Sequence, residues 1–211
     1  MSGNRLYNME TYDFDKLVDD MDEDMKTGNG EKILSKGKNA RSEIVAYGYR
    51  FDSKEELDVF EWILEAKELG FIDDYEYQPK SFELFEGVKN AKGKYIVRPH
   101  VYTADFRISF NDKWVDFRKT NKLKIFDKFD EKNVYIDVKG SWSKYDDGRS
   151  FAINFKWTLS KFGIHVWKIV PLKFFEKTWL PKKCVLTRKT HKVSAKYSKL
   201  LTFENKKYSQ N

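Results

Sequence analysis

With 211 residues the chain is long enough for one substantial domain or two small ones with a genuine hydrophobic core. No apolar run approaches the ~18 residues of a membrane span. Residues 1–10 lack the apolar stretch of a secretory signal, and a single cysteine, Cys184, excludes an internal disulfide or a Cys-rich zinc site, so a cytoplasmic protein with no membrane partner is expected. Aromatic residues at 17% beside charged residues at 35% are too many rings for a disordered chain, and the formal charge of +7 points toward a polyanionic partner.

That charge is unevenly placed. Residues 1–30 carry eight acids against Arg5, Lys16 and Lys26, a balance of −5, which leaves +12 for the rest of the chain. Residues 182–211 hold nine Lys or Arg against Glu204 alone, or +8 of that. The chain therefore divides into an acidic arm (1–42), a nearly balanced body (43–181) and a basic tail (182–211).

Within the arm no apolar period is sustained, and Thr27 to Asn39 is rich in Gly, Asn and Lys. The body opens near Ile44. Lys54 to Leu69 has apolar residues at Leu57, Phe60, Ile63 and Leu64, a Ser or Asp start and a Gly70 stop, which predicts a helix. Phe71 to Gln78 and Ser81 to Glu86, punctuated by Pro79, read as strands, followed by a turn from Gly87 to Lys94. Tyr95 to Val97 and Val101 to Phe110 are further strands. Residues 111–133 mix seven basic and five acidic side chains with scattered rings and read as a hairpin or surface insertion. Val134 to Gly140 alternates strictly, with Val134, Ile136 and Val138 on one face and Tyr135, Asp137 and Lys139 on the other. After a Ser-, Asp- and Gly-rich loop, Phe151, Phe155, Leu159 and Phe162 form the stripe of a second helix, about Ser150 to Phe162, and Ile164 to Val170 forms a last strand. The order predicts an α/β fold, a mixed central sheet flanked by helices.

Nucleophilic catalysis finds little support: His100, His165 and His191 have no serine or cysteine in a recognisable setting, and no Gly-rich phosphate loop is present. The carboxylates say more. Asp137 and Lys139 lie about 7 Å apart along one face of a strand whose other face is aliphatic, an expensive arrangement unless it is used. Asp105 falls in the middle of an expected strand, and Glu56 falls inside the apolar stripe of the first helix. Three acids and a lysine on inward positions suit a divalent-cation site. Structural roles account for the same residues: Ser53-x-x-Glu56 is a capping-box pattern, Asp137 and Lys139 suit an ion pair, and Asp105 suits a strand end. Asp116 is a competing acid.

Phe51-Asp52-Ser53-Lys54-Glu55-Glu56, Tyr77-Gln78-Pro79-Lys80, Tyr102-Thr103-Ala104-Asp105-Phe106 and Asp137-Val138-Lys139-Gly140, in this order over residues 47–171, resemble the PD-(D/E)XK nuclease superfamily. Within it, they are similar to small phage and prophage endonucleases related to endonuclease I-type Holliday-junction resolvases. The chain departs from the pattern in having Ala104 before the first acid, aspartate at position 137, and a long segment between Asp105 and Asp137. The resemblance implies a restriction-endonuclease-like αβββαβ core and Mg²⁺-dependent DNA hydrolysis, with Mn²⁺ as a substitute. It implies that Glu56, Asp105, Asp137 and the carbonyl of Val138 hold metal, that Lys139 serves catalysis, and that Gln78 and Lys156 are auxiliary DNA contacts. It also implies branched DNA as substrate and a homodimer, because cutting both strands of a junction takes two sites; a phage enzyme of this kind works in the bacterial host cytoplasm. A recombination or end-processing nuclease on linear DNA and a catalytically inactive DNA-binding module are the alternative readings. In the tail, Lys182, Lys183, Arg188, Lys189, Lys192 and Lys196, interleaved with Tyr197, Phe203 and Tyr208, are expected to track the DNA backbone.

Overall fold

A computed structural model describes residues 44–140 and 146–208, all within the compact unit Arg41–Asn211. The acidic arm of 1–42 lies outside the described residues. In chain order the elements are β1 (Ile44–Ala46), β2 (Tyr49–Phe51), α1 (Lys54–Glu68), β3 (Ile72–Tyr77), β4 (Phe82–Phe85), β5 (Val88–Lys89), β6 (Tyr95–Val97), β7 (His100–Tyr102) and β8 (Phe106–Phe110). There follow α2 (Asp112–Thr120), β9 (Asn133–Val138), α3 (Asp146–Phe162), β10 (Val166–Ile169), α4 (Pro171–Lys177), α5 (Lys182–Val185), a 3₁₀ turn (Ala195–Tyr197) and α6 (Phe203–Tyr208).

The principal sheet has four strands in the order β10-β9-β8-β3. β3 pairs antiparallel with β8 and β8 with β9, whereas β10 lies parallel to β9. A parallel neighbour needs a crossover, and α3 supplies it. The fold is therefore mixed α/β, with a mixed sheet flanked by helices. Three two-stranded sheets, β1-β2, β4-β7 and β5-β6, surround it.

α1 is the central helix. Ser53 caps its start, with the Glu56 N–H donating to Ser53 Oγ at 3.1 Å. Its end is a Schellman closure: the Gly70 N–H bonds to Lys67 O and the Phe71 N–H to Ala66 O, both at 2.9 Å, with Gly70 at φ +74°. The buried Phe60, Trp62 and Ile63 join Phe106, Ile108, Ile136 and Val138 of the sheet in one core. Glu56, Asp58 and Glu61 of the same helix are buried as well. A helix covered on several sides must pair its polar residues. Asp58 meets Arg188 and Tyr197, Glu61 meets Tyr47, and Glu56 meets Tyr77.

Three sequence expectations need correction. Residues 111–133 are no surface insertion: they begin with α2, and Trp114, Ile125 and Phe126 are in the core. Val115 and Arg118 of α2 are also buried, and Arg118 pairs with Glu131 at 2.7 Å. A helix of nine residues, charged on its outer face, gives too short a period to stand out in the sequence. The expected strand from Val101 to Phe110 is broken into β7 and β8, which belong to different sheets, and Asp105 lies just before β8 instead of mid-strand. The C-terminal segment is a packed part of the body, with no hanging tail among its described residues. Cys184 and Tyr197 are in the core, and Phe203 meets Phe71, Phe117 and Trp179 with ring centroids 5.9, 5.7 and 5.0 Å away. The rings expected to interleave with DNA thus include two that pack inward.

Candidate active site

The break between β7 and β8 and the end of β9 bring Asp105 and Asp137 together. β8 and β9 pair as far as Phe106↔Ile136, which leaves Asp105 and Asp137 side by side at the end of that ladder. The Asp105 N–H donates to Ile136 O at 2.9 Å, and its carboxylate Oδ2 accepts the Val138 N–H at 2.5 Å. Alternation on β9 sends Val134, Ile136 and Val138 into the α1 core and leaves Asp137 on the opposite face, where it is nonetheless buried. Both its oxygens are engaged: Oδ2 accepts the Tyr102 hydroxyl at 2.9 Å, and Oδ1 pairs with Lys139 Nζ at 2.5 Å. Lys139 is itself anchored, its N–H donating to Ile169 O of β10 at 2.8 Å.

Glu56 closes the same region from α1. Its carboxylate accepts Ser53 Oγ at 3.0 Å, the Asp52 N–H at 3.2 Å and the Tyr77 hydroxyl at 3.2 Å. The capping-box role is therefore real, and Glu56 also faces β3 through Tyr77. Gln78 adopts φ +48°, a left-handed conformation costly for a side-chain-bearing residue. Its N–H reaches Asp105 O at 2.8 Å and its Nε2 reaches the Tyr77 hydroxyl at 3.2 Å. Bent there, the backbone joins the Asp105 and Glu56 sides of the site.

Electrostatics mark these acids. Burial, reinforced by the Asp137 and Glu56 carboxylates, pushes the Asp105 carboxyl up to about 8, against the Val138 N–H and Lys139 acting the other way. Burial, with Asp52 adding to it, also raises Glu56, although Ser53, the Asp52 N–H and Tyr77 oppose. Tyr102 is raised by burial and by the adjacent Asp137, so it stays a hydroxyl donor at neutral pH. Asp105 is thus an acid held from ionising chiefly by burial and then by two neighbouring carboxylates.

A family profile described as "Protein of unknown function (DUF1064)" matches residues 36–147, more than half of the chain. The chain belongs to this family. The matched segment of this DUF1064 protein contains Glu56, Asp105, Asp137 and Lys139, and ends just inside α3. No curated protein and no solved structure matches the chain.

The carboxylate oxygens around Asp105 are of the donor type that suits a hard cation. Among the described residues no three His, Cys, Asp or Glu side chains form a ready metal-holding group. The positive charge beside Asp137 belongs to the Lys139 ammonium. The residues fit a divalent cation in donor type, once Asp105 gives up its proton.

The other sequence candidates fall elsewhere. Asp116 is exposed on α2, and its side chain makes no hydrogen bond or ion pair among the described residues. Lys156 is exposed on α3 and is not brought into contact with the carboxylates. Of the C-terminal cations, Lys182 pairs with Glu204 at 2.8 Å, Lys183 with Glu61 at 3.8 Å, Arg188 with Asp58 at 2.8 Å and Lys196 with Glu55 at 3.0 Å. Lys189 and Lys192 are exposed without such partners among the described residues. Sequence reasoning missed Tyr77 and Tyr102 as members of the site. Each stood inside a quoted motif, one residue before Gln78 and three before Asp105, but a tyrosine on a strand reads as packing until its hydroxyl is seen on a carboxylate.

Proposed function

We propose that the chain is a Mg²⁺-dependent DNA endonuclease that hydrolyses phosphodiester bonds, with a restriction-endonuclease-like core. The observation that carries this reading is the convergence of Asp105 and Asp137 at adjoining strand ends, with Lys139 two residues on and Glu56 close enough to raise the Asp105 carboxyl. The chain order α1, β3, β8, β9, α3, β10 supports it, being the αβββαβ order that the resemblance implies.

Asp105 and Asp137, with the Val138 carbonyl and Glu56, would hold the cation. Bound Mg²⁺, with Mn²⁺ as a substitute, supplies charge stabilisation at the scissile phosphate and a more acidic water. Tyr102 keeps Asp137 oriented by donating to Oδ2, and Lys139 presents an ammonium to the non-bridging phosphate oxygens or to the attacking water. Asp105 must lose its proton to serve, so activity should rise through the pH region near 8. The substrate class is duplex DNA with branched junctions foremost, cut by a homodimer because each strand needs its own site, in the cytoplasm of a bacterial host.

The test incubates the protein with labelled four-way junction, linear duplex and single strand, under Mg²⁺, Mn²⁺ or EDTA, alongside Asp137→Asn and Lys139→Ala. Metal-dependent junction cleavage absent from both variants is expected, with a loss of about 10² or more in rate. DNA binding with no cleavage under any divalent ion would sink the proposal. Equal cutting of linear ends would replace the junction with linear DNA as substrate.

A further inference from the structure

Between Gly87 and Ala104 the chain carries Lys89, Lys92, Lys94 and Arg98 and no acid. This stretch is the β5–β6 hairpin and the strand leading out of it. Its tip is well made. Asn90 Oδ1 accepts the N–H groups of Lys92 and Lys94 at 3.0 Å each, and the Asn90 N–H donates to Lys94 O at 2.9 Å. Its base is fixed by Gly87 at φ +84°, where a Cβ would come within 2.7 Å of Val97 O. Every residue from Val88 to Arg98 is nevertheless exposed. Ile96 is 69% exposed, and Val88, Tyr95 and Val97 stand out in solvent with it. A two-stranded ribbon with both faces in water buries little to stabilise itself. Unlike Lys182, Lys183, Arg188 and Lys196, the four basic residues here make no ion pair among the described residues.

We infer that the β5–β6 hairpin is an arm that enters a groove of duplex DNA, with Lys89, Lys92, Lys94 and Arg98 on the phosphates and Ile96 against the groove floor. The inference rests on the nuclease reading for the identity of the polyanion. The charge is complementary, and a two-stranded ribbon is of a size the major groove admits. The arm is also joined to the site. Arg98 leads through Pro99 into β7, whose Tyr102 donates to Asp137, and Asp105 follows Arg98 by seven residues. Even fully extended, that span is about 23 Å, less than one turn of duplex. DNA held at Arg98 is therefore held within a helical turn of the carboxylates.

The test is fluorescence anisotropy of the full chain on a labelled duplex in EDTA, across a salt series, comparing wild type with the quadruple variant Lys89→Gln, Lys92→Gln, Lys94→Gln, Arg98→Gln. Each phosphate contact contributes about 0.9 to the slope of log affinity against log salt, so the slope should fall by about 2 to 4 and affinity by tenfold or more. Ile96→Glu should weaken binding separately. A Lys89→Arg, Lys92→Arg, Lys94→Arg variant should retain the wild-type slope, and unchanged thermal melting of the Gln variant excludes unfolding as the cause. An unchanged slope in the Gln variant would overturn the arm while leaving the nuclease reading intact. A reduced slope in a protein that cleaves nothing would uphold the arm and fail the nuclease reading. Absence of duplex binding by wild type, or tighter binding to anionic vesicles than to DNA, overturns the arm outright.

Discussion

Asp105 Oδ2 accepts the backbone N–H of Val138 at 2.5 Å, so a side chain of one strand end satisfies the main chain of its neighbour just beyond the last ladder pair. That carboxyl has its pKa raised from 3.8 to about 8, chiefly by burial and then by Asp137 and Glu56. Below about pH 4 the group is protonated in folded and unfolded chains alike and favours neither. Between there and about 8 the unfolded chain gives up its proton while the folded one keeps it, so stability is lost as pH rises through that window. Asp105→Asn removes the penalty. Its melting temperature relative to wild type should climb steadily from pH 4 to pH 8.5 without divalent metal, reaching several degrees. A difference that stays flat with pH, read by circular dichroism, would show that Asp105 ionises normally in the fold.

The same proton competes with a bound cation. Mg²⁺ or Mn²⁺ binding the ionised form should raise the melting temperature of wild type by a few degrees at pH 8 and by less at pH 6. Titration calorimetry at pH 6.5 should register proton release on metal addition, seen as an enthalpy that varies with the buffer. Asp105→Asn and Asp137→Asn should each abolish both signals. Equal stabilisation of either variant by the ion would place the cation elsewhere.

Tyr102 is the proton donor to Asp137, and its hydroxyl lies in a site that excludes water on the Oδ2 side. Tyr102→Phe keeps the ring against Phe82 and deletes only that bond. The cost should be about 1–2 kcal/mol in urea unfolding, since a buried carboxylate oxygen loses its partner. Cleavage should fall with it, because Asp137 is then held by Lys139 alone. A variant with wild-type stability would mean that water replaces the hydroxyl.

The mixed α/β class was legible because α1 and β9 keep long, unambiguous periods, with Phe60 and Ile63 recurring on one helical face and Val134, Ile136 and Val138 alternating, whereas α2 and the short helices after β10 were not. Glu56 and Asp137 were legible as charges set on core elements, and both are buried. What was not legible depended on tertiary partners. Trp114 and Phe126 read as surface because their neighbours are charged, yet they meet core rings in the fold. Arg188, Lys196 and their companions read as free cations because Asp58 and Glu55, which pair with two of them, lie more than a hundred residues away. The basic stretch from Lys89 to Arg98, which makes no ion pair among the described residues, read merely as a turn and a short strand.

Asp58 shows how firmly the C-terminal segment is held. It is buried on α1, accepts the Tyr197 hydroxyl at 2.7 Å and pairs with Arg188 at 2.8 Å. Asp58→Ala leaves the Tyr197 hydroxyl buried and unpaired, a loss of about 3 kcal/mol that lowers the melting temperature by roughly 6–12 °C. The Arg188 side chain is 35% exposed, so its half of the cluster is screened and Arg188→Gln should cost less. Limited proteolysis should then cut Asp58→Ala between Leu186 and Lys192 faster than wild type, since α5 and the 3₁₀ turn are no longer tied to α1. Arg188→Gln should leave the salt dependence of DNA binding unchanged, because that guanidinium is already committed to Asp58. A slope that drops by about 0.9 in this variant would return Arg188 to the DNA-contacting surface.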